Sequence, residues 1–321
     1  MNKYLFSSYM KKTFLKRIFW IVLIAVLLAS VMPHIITNYW LIDIFSNFKM
    51  QLLIISILLV FPTLILLRKQ VLAILILSIN LLSNLYFIIP FYTETSIPST
   101  DNHFKISSIN LLSSNSNREL TINYIENEDP DVLILMELTP EWLSSLEPVI
   151  GNYQYTEIVP RNDNFGIALL SKYQMKSSVD YFSLNDKPSI IGNVSGMEQE
   201  FTVVATHPVP PIGQQSFLNR NKQLSNIVKD IPRFSKNLII AGDFNTSSFS
   251  PHFDSLLKQN LKDSRIGFGL LPTWPADHNV LQTTLDHFLV SKHLQVTKRA
   301  TGPDIGSDHL PITMTIGLKT L

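Results

Sequence analysis

The chain has 321 residues, no cysteine, 16% charged residues and a formal net charge of +1. A hydrophobic content of 46% excludes an intrinsically disordered chain, and the missing cysteines exclude a disulfide scaffold and a thiolate metal site. The near-zero charge hides two opposite parts. Residues 1–100 carry eight Lys and Arg against two acids, a balance of +6, and residues 101–321 carry a balance of −5.

The basic part is organised by what it lacks. No Asp, Glu, Lys or Arg occurs between Arg17 and Asp43, between Lys49 and Arg68, or between Lys69 and Glu94, leaving gaps of 25, 18 and 24 residues. A helix needs about 17–25 apolar residues to cross the hydrocarbon core of a bilayer. The pattern predicts three transmembrane helices at about residues 18–40, 50–67 and 71–91, the second containing Pro62. Five Lys and Arg precede the first helix and Arg68-Lys69 form the tight turn between the second and third. Basic flanks stay in the cytoplasm, which places the balanced loop around Asp43 and Lys49, and everything after the third helix, outside. Reading the first helix as a cleaved signal peptide leaves the downstream part outside as well.

A polar stretch, TETSIPSTDN, reads as a linker at 93–103. Beyond it, strands and helices alternate. Strands are expected at Phe104–Asn110, Val132–Met136, Gly166–Leu170, Phe201–Thr206, Leu238–Ala241 and Leu285–Val290, with a last strand at the C-terminus. Helices are expected at Arg118–Glu128, ending before Asp129-Pro130, at Gln214–Lys229 and at Pro251–Gln259. Continuous apolar strands between helical segments point to a layered α/β domain over 104–321, without internal repeats or low-complexity tracts.

The chemistry-bearing residues gather at strand ends. Asn110, Glu137, His207, Asp243-Phe244-Asn245 and Asp286 each adjoin an apolar strand, and Gly306-Ser307-Asp308-His309 precede the last one. In layered α/β folds that edge is where ligands bind. Singly, each is also explained as a turn, a helix cap or a first solvated residue. Asp286 is harder to dismiss, because a carboxylate within an apolar strand must be paired.

Asn110, Glu137, Thr206-His207, Gly242-Asp243-Phe244-Asn245, Leu285-Asp286 and Gly306-Ser307-Asp308-His309 together resemble the ordered motifs of the endonuclease/exonuclease/phosphatase superfamily. The resemblance spans roughly residues 104–317 and implies a four-layer α/β sandwich of the DNase I type, preceded here by the membrane helices. It implies phosphoester hydrolysis with Mg²⁺ or Mn²⁺. Carried over by position, Glu137 is the principal metal ligand, with Asn110 and Asp308 in the metal shell. Asp243 orients or deprotonates the attacking water, and Asn245 holds a phosphate oxygen. His207 donates to the phosphoryl oxygens, and Asp286 fixes the tautomer of His309. Met136 stands where the family often has Gln, and Ile109 where it often has an aromatic; neither change removes a catalytic group.

The acidic balance of the second part argues against a polynucleotide substrate, because phosphate neutralisation dominates nucleic-acid affinity. Membrane helices, a short linker, Thr-His-Pro-Val-Pro-Pro and Pro-Thr-Trp-Pro resemble bacterial membrane-bound members of the superfamily. The expectation is an enzyme of the bacterial inner membrane, its catalytic domain extracytoplasmic, acting on a lipid-linked or other small phosphoester. A surface nuclease and a catalytically silent membrane receptor are the alternatives. Arg161, Asn164, Arg220 and Trp274 are candidate substrate contacts, and His252, His278, His287 and His293 are read as structural.

Overall fold

The structure is a computed structural model that describes residues 3–93, 103–184, 186–196, 199–292 and 294–317, with side chains from Met10 onward. The expected linker, apart from its two end positions, and His293 lie outside the described residues. The chain forms two compact units, Met1–Pro90 with Phe249–Pro251, and Phe91–Ser248 with His252–Leu321.

The first unit is helical. Helix α1 (Lys3–Ile35) is followed by α2 (Trp40–Asp43), a 3₁₀ turn (Ile44–Phe48), α3 (Lys49–Leu58), α4 (Val60–Leu66) and α5 (Val71–Ile88). Three stretches, Met10–Ile35, Trp40–Leu66 and Val71–Ile88, are long and apolar enough to cross a membrane. Leu23, Val26, Leu52, Leu59, Ala73, Ile76 and Leu77 pack inward, while Ile21, Leu58, Phe61 and Leu82 face outward. A surface of this kind suits hydrocarbon, in which polar groups must find partners within the protein. Asn84 Nδ2 accordingly donates to Ser30 Oγ at 2.9 Å and Asn80 Nδ2 to the Leu23 carbonyl at 3.3 Å. Asp43 and Lys49, expected in a solvated loop, stand in helical turns and are buried, the Lys49 ammonium resting on the Ser30 carbonyl. An amine on a long stem reaches a backbone acceptor and so tolerates a site that its charge alone forbids.

The second unit opens with the short α6 (Pro90–Thr93) and is a two-sheet sandwich. Its strands are β1 (His103–Asn110), β2 (Val132–Met136), β3 (Tyr155–Val159), β4 (Ile167–Ser171), β5 (Gln174–Asp180), β6 (Ser189–Gly196), β7 (Gln199–Thr206), β8 (Leu238–Asp243), β9 (Leu261–Asp263), β10 (Asp286–Ser291), β11 (Gln295–Thr301) and β12 (Ile312–Gly317). The helices are α7 (Arg118–Glu128), α8 (Pro140–Ser145), α9 (Glu147–Ile150), α10 (Gln214–Lys229) and α11 (Pro251–Leu257). One sheet has the order β11-β12-β1-β2-β4-β3 and the other β5-β6-β7-β8-β10-β9.

Alternation along the strands builds the layers. Ile106, Ile134, Met136 and Leu169 of one sheet meet Val203, Ala205, Ile239 and Phe288 of the other, and Phe104 stacks on Phe201 with ring centroids 5.2 Å apart. The opposite face of the first sheet, through Leu133, Leu135 and Leu170, packs on Tyr124, Ile125, Trp142 and Val149 of α7, α8 and α9. The opposite face of the second sheet, through Val204, Ile240 and Leu289, packs on Leu224, Ile227 and Phe253 of α10 and α11. Helix, sheet, sheet and helix make four layers. Local chemistry sets the helix ends. Asp129 closes α7 in the left-handed region before Pro130, and Thr139 caps α8 by accepting the Trp142 N–H at 3.1 Å, with Pro140 in the first turn.

Candidate active site

Two parallel pairs define the working edge. Strands β1 and β2 run parallel, as do β7 and β8, so Asn110, Glu137, His207 and Asp243 all come at C-terminal strand ends. Antiparallel partners reach the same edge with their beginnings. Asp286 of β10 lies opposite Asp243, and β12 starts opposite Ser108, which brings Ser307, Asp308 and His309 alongside Asn110. Residues almost 200 apart in sequence meet there: Ser307 Oγ donates to the Asn110 carbonyl at 2.8 Å and accepts the His309 N–H at 3.1 Å.

The centre is the buried carboxylate of Asp243. Its Oδ2 lies 3.4 Å from His207 Nε2, 3.6 Å from His309 Nε2 and 3.3 Å from Asn110 Nδ2. Its Oδ1 accepts the Asn245 N–H at 2.9 Å, which anchors the turn that follows. His309 turns its other nitrogen, Nδ1, to Asp286 Oδ2 at 2.8 Å. Glu137 accepts from Asn110 Nδ2 at 3.2 Å and from the Ser113 N–H at 3.0 Å. Glu137 and Asn245 both take positive φ, 58° and 51°, a conformation non-glycine residues hold only when their surroundings impose it. Gly242, with φ 140°, lets β8 approach β7: a Cβ there would lie 1.9 Å from the Thr206 carbonyl oxygen.

Burial and neighbouring charge oppose each other at these groups. Burial disfavours the charged form of His309, but the Asp286 and Asp243 carboxylates outweigh it and raise its pKa to about 10. Burial likewise works against ionised Asp243, and the His309 and His207 imidazoles overcome it, lowering its pKa to about 2. His207 is raised too, the Asp243 carboxylate prevailing over burial. An imidazolium and a carboxylate that stabilise each other are thus built into the edge.

The oxygen-rich donor set fits a hard divalent cation. Donor atoms of Asp243, Asp286 and His309 lie within 4.8 Å of one another and could hold a metal. Asp308 Oδ1 is buried without a hydrogen-bond partner, an acceptor for which a cation is a natural complement. Asn110 Oδ1 accepts the Leu112 N–H at 3.0 Å, and the amide turns its donors to the carboxylates, bridging Glu137 and Asp243.

The candidate substrate contacts separate. Trp274 flanks the site, its Nε1 donating to Asp308 Oδ2 at 3.1 Å, and Asn164 accepts from Ser113 Oγ at 2.9 Å. The Arg161 guanidinium pairs with Asp163 at 2.6 Å. Arg220, expected to contact substrate, is instead buried, and its Nη1 donates to the Asn245 carbonyl at 2.8 Å. It holds the turn that carries Asn245, because an amphipathic helix directs this position of α10 inward.

The remaining histidines divide. His252 packs on Phe217, and His278 is exposed beside Asp277. His287 is buried: Arg265 Nη2 donates to its Nδ1 at 3.0 Å, so Nε2 carries the proton and donates to the Thr246 carbonyl at 2.8 Å. Burial pushes its pKa down to about 3 and keeps it neutral. Sequence reasoning missed three supports: the Ser113 N–H on Glu137, the Ser307 hydroxyl on Asn110, and Phe165, whose ring centroid lies 5.5 Å from that of His207. Ser307 lies inside a motif and was open to discovery there. Ser113 and Phe165 lie on loops with no signal.

Fold and site define a sandwich-type phosphoester hydrolase scaffold. The sequence model of the Endonuclease/Exonuclease/phosphatase family matches residues 107–309, and the chain belongs to that family. No curated protein matches the chain. Among solved structures, it is similar to D. rerio TDP2 complexed with single strand DNA product, at 20% identity and a TM-score of 0.58, covering 68% of this chain and 100% of that one. Humanized D. rerio TDP2 gives 19% identity and a TM-score of 0.59 over 67% and 99% of the two chains. An endonuclease/exonuclease/phosphatase family protein from Bacteroides thetaiotaomicron gives 16% and 0.56 over 68% and 96%. At these identities the likeness is one of fold.

Proposed function

We propose that this protein is a membrane-anchored phosphoester hydrolase using Mg²⁺ or Mn²⁺, its catalytic unit outside the cytoplasm of a bacterial cell and its substrate a lipid-linked or other small phosphoester. The observation that carries the reading is Asp243, a buried carboxylate that two imidazoles approach through Nε2, one of them braced by a second carboxylate. The basic residues before the first apolar helix and at Arg68-Lys69 support the orientation.

A carboxylate held near 2 is a poor proton sink at neutral pH, so Asp243 orients the attacking water by accepting its hydrogen bond. His309, charged through its pairing with Asp286, donates to the phosphoryl group, and His207 donates beside it. Asn245 keeps one amide hydrogen on the Pro208 carbonyl at 2.9 Å and offers the other to a non-bridging oxygen. Glu137 and Asp308 would hold the divalent ion, which supplies charge neutralisation on the phosphoryl oxygens. As water attacks phosphorus, the ester P–O bond breaks, the leaving oxygen takes a proton from an imidazolium, and the proton lost by the attacking water passes by way of a phosphoryl oxygen to that imidazole, restoring it.

The test is the purified full chain assayed with Mg²⁺, with Mn²⁺ and with chelator. The panel comprises a polyprenyl diphosphate, a phospholipid, a soluble phosphodiester and DNA. Metal-dependent turnover of a lipid phosphoester supports the reading. DNA turnover far above it makes the protein a surface nuclease, and turnover of none, unchanged by His309→Ala, makes it a silent member of the family.

A further inference from the structure

The catalytic edge carries apolar side chains of which all but Trp274 stand outside the hydrolytic site. Strand β7 ends at Thr206 beside β8, and β10 begins at Asp286 opposite Asp243. The loop after β7, residues 207–213, and the loop before β10, residues 274–283, therefore leave from one edge of one sheet. Four of the eight large apolar side chains that the catalytic unit exposes, among the described residues, lie on these two loops. They include the two most exposed, Val280 at 81% and Ile212 at 80%, with Leu281 at 53% and Trp274 at 37%.

Both loops are built to hold these side chains out. Three prolines, Pro208, Pro210 and Pro211, restrict the first loop. The Ile212 N–H bonds back to the Pro210 carbonyl at 2.8 Å and the Gly213 N–H to that of Pro211 at 3.1 Å. The base of the second loop is closed by exchange between Trp274 and Thr283, at 3.1 and 2.6 Å, and the Leu281 N–H bonds to the His278 carbonyl at 2.8 Å. Exposed aliphatic groups on stiff loops around a polar site call for an apolar partner. The chain itself indicates which one: it carries three helices long and apolar enough to cross a bilayer, and, read as membrane spans, they make lipid the apolar partner to be considered.

We propose that the Ile212 and Val280-Leu281 loops enter the interfacial zone of a lipid bilayer and seat the catalytic edge on the membrane surface. Asp277 and His278, both exposed on the second loop, keep the insertion shallow. Phosphoester groups at the headgroup level then reach the site without leaving the bilayer. The inference rests on reading the three helices as membrane spans, and it names where the proposed lipid substrate is met.

The absence of cysteine makes the test clean. Single-cysteine variants of the full chain, Ile212→Cys, Val280→Cys and Gln259→Cys, are labelled with an environment-sensitive fluorophore. They are reconstituted in phosphatidylcholine/phosphatidylglycerol vesicles with or without nitroxide-labelled lipid. Gln259 is an exposed control at the opposite edge, next to β9, whose Leu261 pairs with Ser291 at the far end of β10. Probes at 212 and 280 are expected to be blue-shifted and quenched at least about threefold by the nitroxide, and the probe at 259 to be unaffected. Equal quenching at all three positions, or none at 212 and 280, overturns the proposal. In a second arm, Ile212→Ser/Val280→Ser/Leu281→Ser is expected to lower turnover of a vesicle-embedded phosphoester about tenfold and leave turnover of a soluble phosphodiester unchanged. Equal losses on both substrates count against it. Fluorescence decides the docking even in a chain that hydrolyses nothing, so failure of the catalytic reading is distinguished from failure of this one.

Discussion

His309 gives Nδ1 to Asp286 at 2.8 Å and, by that bond, aims Nε2 at Asp243, 3.6 Å away. One carboxylate selects the ring orientation that the other uses. Replacing Asp286 by Asn keeps the shape and removes the charge. The pKa of His309, raised to about 10, is then expected to fall, read by histidine NMR titration of metal-free protein. Turnover should drop by about 10²–10⁴-fold, the usual worth of a positioned acid or base.

The same pair has a pH signature. A raised folded-state pKa stabilises the fold fully below the unfolded value near 6.5, and that contribution is lost as pH rises through about 10. The stability difference between wild type and Asp286→Asn is therefore expected to be largest at mildly acidic to neutral pH and to shrink towards alkaline pH. Urea unfolding of metal-free protein across that range measures it. A difference that grows with pH contradicts the pairing.

Arg220 tests positioning from behind the site. Arg220→Met fills similar space and leaves the Asn245 carbonyl without its partner, at an expected cost of about 2–3 kcal/mol. Because the guanidinium is buried, kcat should fall with little change in KM. A rise in KM alone would return Arg220 to direct substrate contact.

Gly242→Ala should be among the most damaging small substitutions in the catalytic unit. The added methyl meets the Thr206 carbonyl oxygen at 1.9 Å, and φ of 140° suits no other residue. The expected loss is about 3 kcal/mol, measured as a lower urea midpoint and Tm.

The proposed metal dependence is tested at the oxygen donors. Chelator should abolish turnover and Mg²⁺ or Mn²⁺ should restore it. Glu137→Gln keeps the Ser113 N–H bond and loses the charge, and should raise the Mg²⁺ concentration for half-maximal activity by at least about tenfold. Activity indifferent to both changes removes the metal from the mechanism.

Much of the fold is legible because it is local. Val132–Met136 is apolar at every position and is buried on both faces, and Arg118–Glu128 and Gln214–Lys229 end where their capping residues stand. β3, β5, β6, β9 and β11 are not legible in the sequence: β3, β5 and β11 are half-exposed and mix Thr, Glu, Lys and Gln into the pattern, β9 has only three residues, and β6 carries Ser, Asn and Gly among its apolar positions. The motif residues were visible as types at strand ends. Their mutual geometry was not.

Charge-free gaps and strand periodicity are properties of neighbouring residues, so the division into a basic apolar part and an acidic α/β part is legible along the chain. The motif resemblance implies the pairing of Asp286 with His309; the folded structure supplies its geometry, Nδ1 to Oδ2 at 2.8 Å, and turns the donors of Asn110 rather than its oxygen to the carboxylates. It alone turned Arg220 inward and held Lys49 inside the helical unit. Charge and hydropathy are written residue by residue. The direction of a side chain depends on which distant strand lies opposite, and that register is set by packing the whole core.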